Sequence, residues 1–142
     1  MRDCKRVRRR RAFLAGAVVL LSAPAVWAGS YLDRASMILT QSEEELVYLQ
    51  SRMDDKELAQ FVHRMAIARL ESAAKMLIPK EVAQAHPHLL LMLENCERAA
   101  QAAVERRQSR FTRHLRLARD EERLFTAVLR QLGWKLPDFK RY

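Results

Sequence analysis

The stretch His88–Val104, HLLLMLENCERAAQAAV, constrains the fold more than any other part of this chain. Val82, Ala85, Leu89, Met92, Cys96, Ala99 and Ala103 recur at alternating steps of three and four. Leu93 and Ala100 widen that line into a stripe about 100° across, the width a core-facing helix presents. Such a helix is not stable alone in water and needs other helices to cover its stripe. The other segments have the same periodicity, and no strand-like alternation, repeat or low-complexity linker interrupts them. The sequence therefore predicts an all-α domain, an antiparallel four-helix bundle that follows an N-terminal export signal.

Ser30-Tyr31-Leu32-Asp33 reads as a capping box that opens the first helix. Leu32, Ala35, Leu39, Ser42, Leu46, Leu49 and Met53 form its apolar line to about residue 53, with Ser42 the one polar member. Asp54 or Asp55 caps the second helix, where an acidic side chain also suits the positive end of the helix dipole. Leu58, Phe61, Val62, Met65, Ala68, Leu70, Ser72 and Met76 are its expected face, and Ala59, Ala66, Ala73 and Ala74 let neighbours approach closely. Pro79 ends that helix or opens the next, where a missing N–H costs nothing. Pro87 either starts the main third helix or kinks a single helix running from Lys80. The kink is the adopted reading, since Val82 and Ala85 are already in phase with Leu89 and Met92.

The third helix begins bulky and ends in alanines, whereas the fourth begins with Phe111 and Leu115. An antiparallel turn sets those large side chains against the small ones, as close packing requires. This places a reversal near Arg106–Ser109, with Ser109 as cap; one continuous helix from Pro87 to Leu132 is the alternative. Phe111, Leu115, Ala118, Phe125, Val128, Leu129 and Leu132 form the fourth face, with Glu122 at core phase and expected in a structural ion pair. Gly133 supplies the left-handed position after the helix, Trp134 folds back, and Pro137 prevents continuation. The tail from about Trp134 also has Leu136, Phe139 and Tyr142 to lay across the bundle end.

A chain of 142 residues is one domain by length. Its formal charge of +9 would suit nucleic acid, but residues 1–28 hold seven of the 26 Lys/Arg and one of the 17 Asp/Glu. Beyond residue 28 stand 19 bases against 16 acids, a net of about +3. The basicity thus belongs largely to a leader. Arg2, Lys5, Arg6 and Arg8–Arg11 precede an apolar run from Ala12 to Ala23, too short for a spanning helix of roughly 20 residues. Pro24 is expected to break it, and Val26-Trp27-Ala28 puts small residues at the −3 and −1 positions of a cleavage site.

The expectation is a signal peptide over 1–28 and a bundle domain over 29–142; an uncleaved anchor is the alternative. In either case the domain lies outside the cytoplasm, most simply in the periplasm, and membrane contact comes only from an uncleaved leader. Arg10-Arg11-Ala12-Phe13-Leu14 resembles the twin-arginine export signal, which would imply export of a folded protein, often with its cofactor loaded. Ordinary export of the unfolded chain is the favoured route, because four consecutive arginines create such pairs easily. Cys4 lies too early to be lipid-modified at the cleavage site. Cleavage leaves Cys96 alone, so no internal disulfide forms, and its place in the stripe argues for burial over a bond to a second chain. A homodimer through the apolar tail stays open.

No constellation for catalysis, cofactor or metal binding emerges, so neither an enzymatic activity nor a cofactor nor a metal site is expected. The histidines lack a Glu-x-x-His pair and a Cys-x-x-Cys-His sequence. His86 and His88, flanking Pro87, or His63 and His114 are the residues on which a metal site would be built. Met37, Met53, Met65, Met76 and Met92 are spread through three helices at core phase and read as packing. The alternative function is a small metal- or haem-binding bundle using a histidine and a methionine. Glu43–Glu45 and Asp120–Glu122 read as solvated faces. The surface signal is arginine: Arg106, Arg107, Arg110, Arg113, Arg116 and Arg119 fall within an acid-free run. Arginine's planar fork suits carboxylate and phosphate. The expected function is an exported, non-enzymatic bundle that binds another protein or an anionic envelope component through this face, not nucleic acid.

Overall fold

The centre of the molecule is α3 (His86–Val104), flanked by α2 (Lys56–Ala74) and α4 (Gln108–Gln131), with α1 (Ala23–Gln50) laid across α2 and α3. The structure is a computed structural model and describes residues 23–137, with side chains from residue 28 onward. Residues 1–22 of the leader, with its twin-arginine-like sequence, and Phe139 and Tyr142 of the tail lie outside the described residues. Among the described residues there are four α-helices and one short 3-10 turn, Lys80–Val82, and no strand. The fold is an all-α helical bundle.

The stripe read from α3 is buried without exception: Val82, Ala85, Leu89, Met92, Leu93, Cys96, Ala99, Ala100 and Ala103 are all in the core. Phe111 and Leu115 of α4 are buried in the same cluster as the alanines that end α3. The two helices form a hairpin. His88 bonds Glu121 and Asn95 bonds His114, so partners step forward on α3 as they step back on α4.

The reversal lies at Glu105–Arg107, slightly ahead of the expected Ser109 cap, and no side chain caps α4. The turn is closed from the end of α3 instead. The Arg107 N–H donates to the Ala102 carbonyl at 2.8 Å and the Arg106 N–H to the Ala103 carbonyl at 2.9 Å, with Arg106 at φ 55°. These are the paired bonds of a Schellman ending, in which the left-handed residue is ordinarily glycine. The end of α4 repeats it with the expected glycine. The Trp134 N–H reaches the Leu129 carbonyl at 2.8 Å, the Gly133 N–H reaches the Arg130 carbonyl at 3.1 Å, and Gly133 has φ 83°.

Several expectations are corrected. The third helix is not kinked at Pro87: the 3-10 turn is separate, and α3 starts with Pro87 in its first turn. There the proline's absent N–H breaks no helical hydrogen bond. Val82 and Ala85 keep their burial because the 3-10 turn packs on α1. Nor does α1 begin at Ser30. Among the described residues it starts at Ala23, with Pro24 in its first turn, and runs on through Ser30, so the Ser30 capping box is not used, and Ala28 is buried.

The face of α2 also differs. Asp55 is its cap, with Oδ1 accepting the Leu58 N–H at 2.9 Å. Phe61, Ala68 and Ser72 are exposed, and Ala59, Val62, Ala66 and Ala73 make the buried seam. Spaced three, four and seven apart, these small side chains let α2 and α3 approach closely, which a phenylalanine at that phase would prevent.

Candidate anionic-partner interface

The six arginines singled out from the sequence do not form one face. Arg106 occupies the left-handed turn position, and Arg107 and Arg110 gather around Glu105 at 3.4 and 3.2 Å. The Glu105 carboxyl is held below the usual range, first by the Gln101 amide that donates to it and then by these two guanidinium groups. Arg119 reaches across to Glu43 of α1 at 3.7 Å. Arg113 and Arg116 are exposed and meet no acid among the described residues. Together with Gln108, Ser109, Thr112 and Leu117 they line an open depression of about 630 Å³.

From Arg116 the basic row continues past the acids Asp120–Glu122. Arg116, Arg119 and Arg123 line a hollow of about 420 Å³ with Gln50 and Asp120, and Arg119, Arg123 and Arg130 line a larger one of about 650 Å³ with Glu43, Glu122 and Thr126. Arg123 and Arg130 were absent from the sequence-derived face, which stopped at the acidic run. Their signal was the continuing step of three, four and seven from Arg116. These hollows form a groove because α1 and α4 scarcely approach each other, unlike the tightly packed α3–α4 and α2–α3 pairs. Across the gap stand the Glu43–Arg119 pair and a hydrogen bond from Ser36 Oγ to the Pro137 carbonyl at 2.9 Å.

Glu122 sits half-buried in the groove wall. Burial raises its pKa, the neighbouring Glu43 charge raises it further, and Arg119 and Arg123 partly oppose this. It makes no ion pair within 4 Å among the described residues, so the expected structural pair is replaced by a carboxyl that keeps its proton to higher pH than an ordinary glutamate. On the opposite flank of α1, Glu45 forms a two-pronged pair with a mostly buried Arg69, one prong 2.7 Å long. Such a fork holds α1 and α2 in register.

Each of the four histidines bonds a side chain on another helix, and α3 is a party every time. His86 Nδ1 shares a hydrogen bond of 2.9 Å with Tyr31 Oη of α1. His63 Nε2 of α2 donates to Glu97 at 2.8 Å, His88 Nδ1 donates to Glu121 at 2.8 Å, and His114 Nδ1 donates to Asn95 at 3.2 Å. Burial lowers the pKa of His86; it also lowers that of His114, helped by Arg98, Arg113 and Arg110 against the opposing Glu97. The four side chains act as ties between helices. His86 and His88 turn to different neighbours, and no group of three His, Cys, Asp or Glu that could hold a metal ion occurs among the described residues.

Cys96 is buried with its Sγ 3.6 Å from Met92 Sδ. Burial above all, with Glu122 and Glu43 adding and Arg69 opposing, pushes its thiol up to about 12. The sulfur is thus an inert core group as the domain is folded. Ser42 Oγ is buried without a hydrogen-bond partner among the described residues. No helix among the described residues is long and apolar enough to cross a membrane.

The fold and surface together define a small helical bundle with a basic last helix. No protein-family model, curated protein or solved structure matches this chain.

Proposed function

We propose that the protein is an exported, non-enzymatic helical bundle of a bacterial-type cell envelope that binds an anionic partner, protein or envelope component, through the arginines of α4. One observation carries the reading: Arg113 and Arg116 project from α4 beside the hydroxyls of Ser109 and Thr112, and neither forms an ion pair within 4 Å among the described residues. Surface arginines are ordinarily balanced by neighbouring acids, as Glu105 balances Arg107 and Arg110 here. An unbalanced pair with hydroxyl donors beside it suits carboxylate or phosphate. The export half of the proposal rests on the basic, apolar and small-residue order of residues 1–28.

Poly-glutamate and vesicles containing phosphatidylglycerol are the probes. Binding to at least one is expected at low ionic strength and should weaken steeply as salt approaches physiological levels, where the screening length is about 8 Å. The double substitution Arg113→Gln/Arg116→Gln should lower affinity several-fold. Binding to neither probe, or binding indifferent to the substitution, refutes the role of this face. Mass spectrometry of the protein from the envelope fraction tests the address: a mature chain beginning at Gly29 is expected, and a cytoplasmic chain retaining Met1 overturns it.

A further inference from the structure

We infer that the groove between α1 and α4 is a docking site for an acidic amphipathic helix of a protein partner. This deepens the proposed function and rests on it, sharing Arg116 but adding residues of α1 and the far half of α4. The inference starts from what the bundle leaves unfilled. One core takes side chains from all four helices, but the α1 and α4 backbones stay apart and leave open space of about 650 Å³ at the surface between them.

The two walls of that space differ in chemistry. On α4, Arg116, Arg119, Arg123 and Arg130 follow one another along a single side, spanning about 21 Å at the α-helical rise. Arg116 and Arg130 meet no acid among the described residues, and the pairs Arg119–Glu43 and Arg123–Asp120 are surface contacts at 3.7 and 3.2 Å. Exposed pairs of this kind contribute little and exchange readily for a better partner. On α1, Val47 and Tyr48 are about half exposed (46% and 50%), the Tyr48 ring lies under the Arg52 guanidinium, and both line a second depression on α1 with Glu43, Glu44 and Ser51. Because Glu43 borders both depressions, the apolar wall and the basic wall belong to one continuous surface.

A ligand that satisfies both walls has carboxylates along one side and apolar side chains along the other. A helix of about 15 residues with acids at steps of three and four matches the length and the period of the arginine row. A simple polyanion engages the arginines and leaves Val47 and Tyr48 idle, and a flat lipid surface does not enter a recess between two helices. Binding a helix through its i, i+3, i+4 and i+7 side chains is a common mode of groove recognition.

The test uses a fluorescent synthetic peptide of about 15 residues, with Glu on one helical face and Leu on the other, and a scrambled peptide of identical composition as control. Binding of the patterned peptide above the scrambled one is expected. Arg123→Gln/Arg130→Gln should weaken it about tenfold, as the loss of two exposed charge contacts implies. Val47→Ala should weaken it by a smaller factor, about threefold, and Arg64→Gln on the exposed face of α2 should leave it unchanged. Equal binding of both peptides, or loss through Arg113→Gln/Arg116→Gln with none through Arg123→Gln/Arg130→Gln and Val47→Ala, refutes the groove while leaving the α4 face standing. Binding to vesicles alone also overturns the groove. Absence of binding to every acidic probe overturns both readings.

Discussion

Arg106 and Gly133 occupy equivalent positions in two helix endings of the same hydrogen-bond pattern, and exchanging their chemistry should move stability in opposite directions. Each has positive φ, 55° and 83°, where an L side chain costs about 1–2 kcal/mol and glycine nothing. Glycine in turn makes the unfolded chain freer, a cost of about 0.4–1 kcal/mol. The difference leaves about 0.5–1 kcal/mol in favour of glycine at either site. At Gly133 a Cβ would meet nothing within 4 Å, so Gly133→Ala isolates the backbone contribution and should destabilise by that amount. Arg106→Gly should stabilise by the same amount, since the Arg106 side chain is exposed and makes no ion pair among the described residues. Urea unfolding followed by circular dichroism reads both as midpoint shifts at constant slope, with thermal midpoints displaced by roughly 2–4 °C in opposite senses. If Arg106→Gly destabilises, the turn is held by something other than the Schellman pair, and the account of the α3–α4 reversal fails.

Other substitutions test the core and the titrating groups. Phe125→Ala should cost about 3–5 kcal/mol, whereas Phe61→Ala should cost under about 1 kcal/mol, because Phe125 is buried and Phe61 half exposed; similar losses would restore the α2 face expected from hydrophobicity. Glu122→Gln should raise the thermal midpoint at pH 7 and lose that gain below about pH 3.5, where the native carboxyl is protonated in both states. The sign follows from a folded pKa above the unfolded one, so Glu122 favours folding only when protonated; a loss at pH 7 would reveal a favourable ion pair. His86 has the opposite relation, a folded pKa below the unfolded one. Its share of stability is complete above about pH 6.5 and falls away as the solution is acidified. His86→Gln should flatten the acid side of a stability–pH profile, and an unchanged slope would show that burial of this imidazole is not felt.

Much of this was legible in the chain, because it depends on neighbours a turn away. The α3 stripe is complete, the Asp55 cap bonds the Leu58 N–H, and Gly133 ends α4 in the expected left-handed conformation. Cys96 is buried, as its place in the stripe suggested. Less legible was α2, where hydrophobicity favours Phe61 but the structure buries Ala59, Ala66 and Ala73. How closely two helices approach is a property of the pair, so the bulkier side chain loses to the smaller one. The arginines of α4 were legible as a cluster, but not how they divide among different neighbours in space. An acidic run along the sequence hid Arg123 and Arg130, although the arginines continue past it on one side of α4, with Asp120 and Glu122 lining the same hollows.

By itself, then, the sequence determined the number of helices, the side of α1, α3 and α4 that turns inward, and the turns that carry glycine or an acidic cap. These follow from period, polarity and backbone preference over a few residues. Only the tertiary structure decided that Arg106 takes a glycine's conformation, that alanines form the α2 seam, and that α1 stands away from α4. Those outcomes depend on how four surfaces share one core, and when the hairpin and α2 have used the close contacts of α3, the remaining helix lies across them and leaves the groove open.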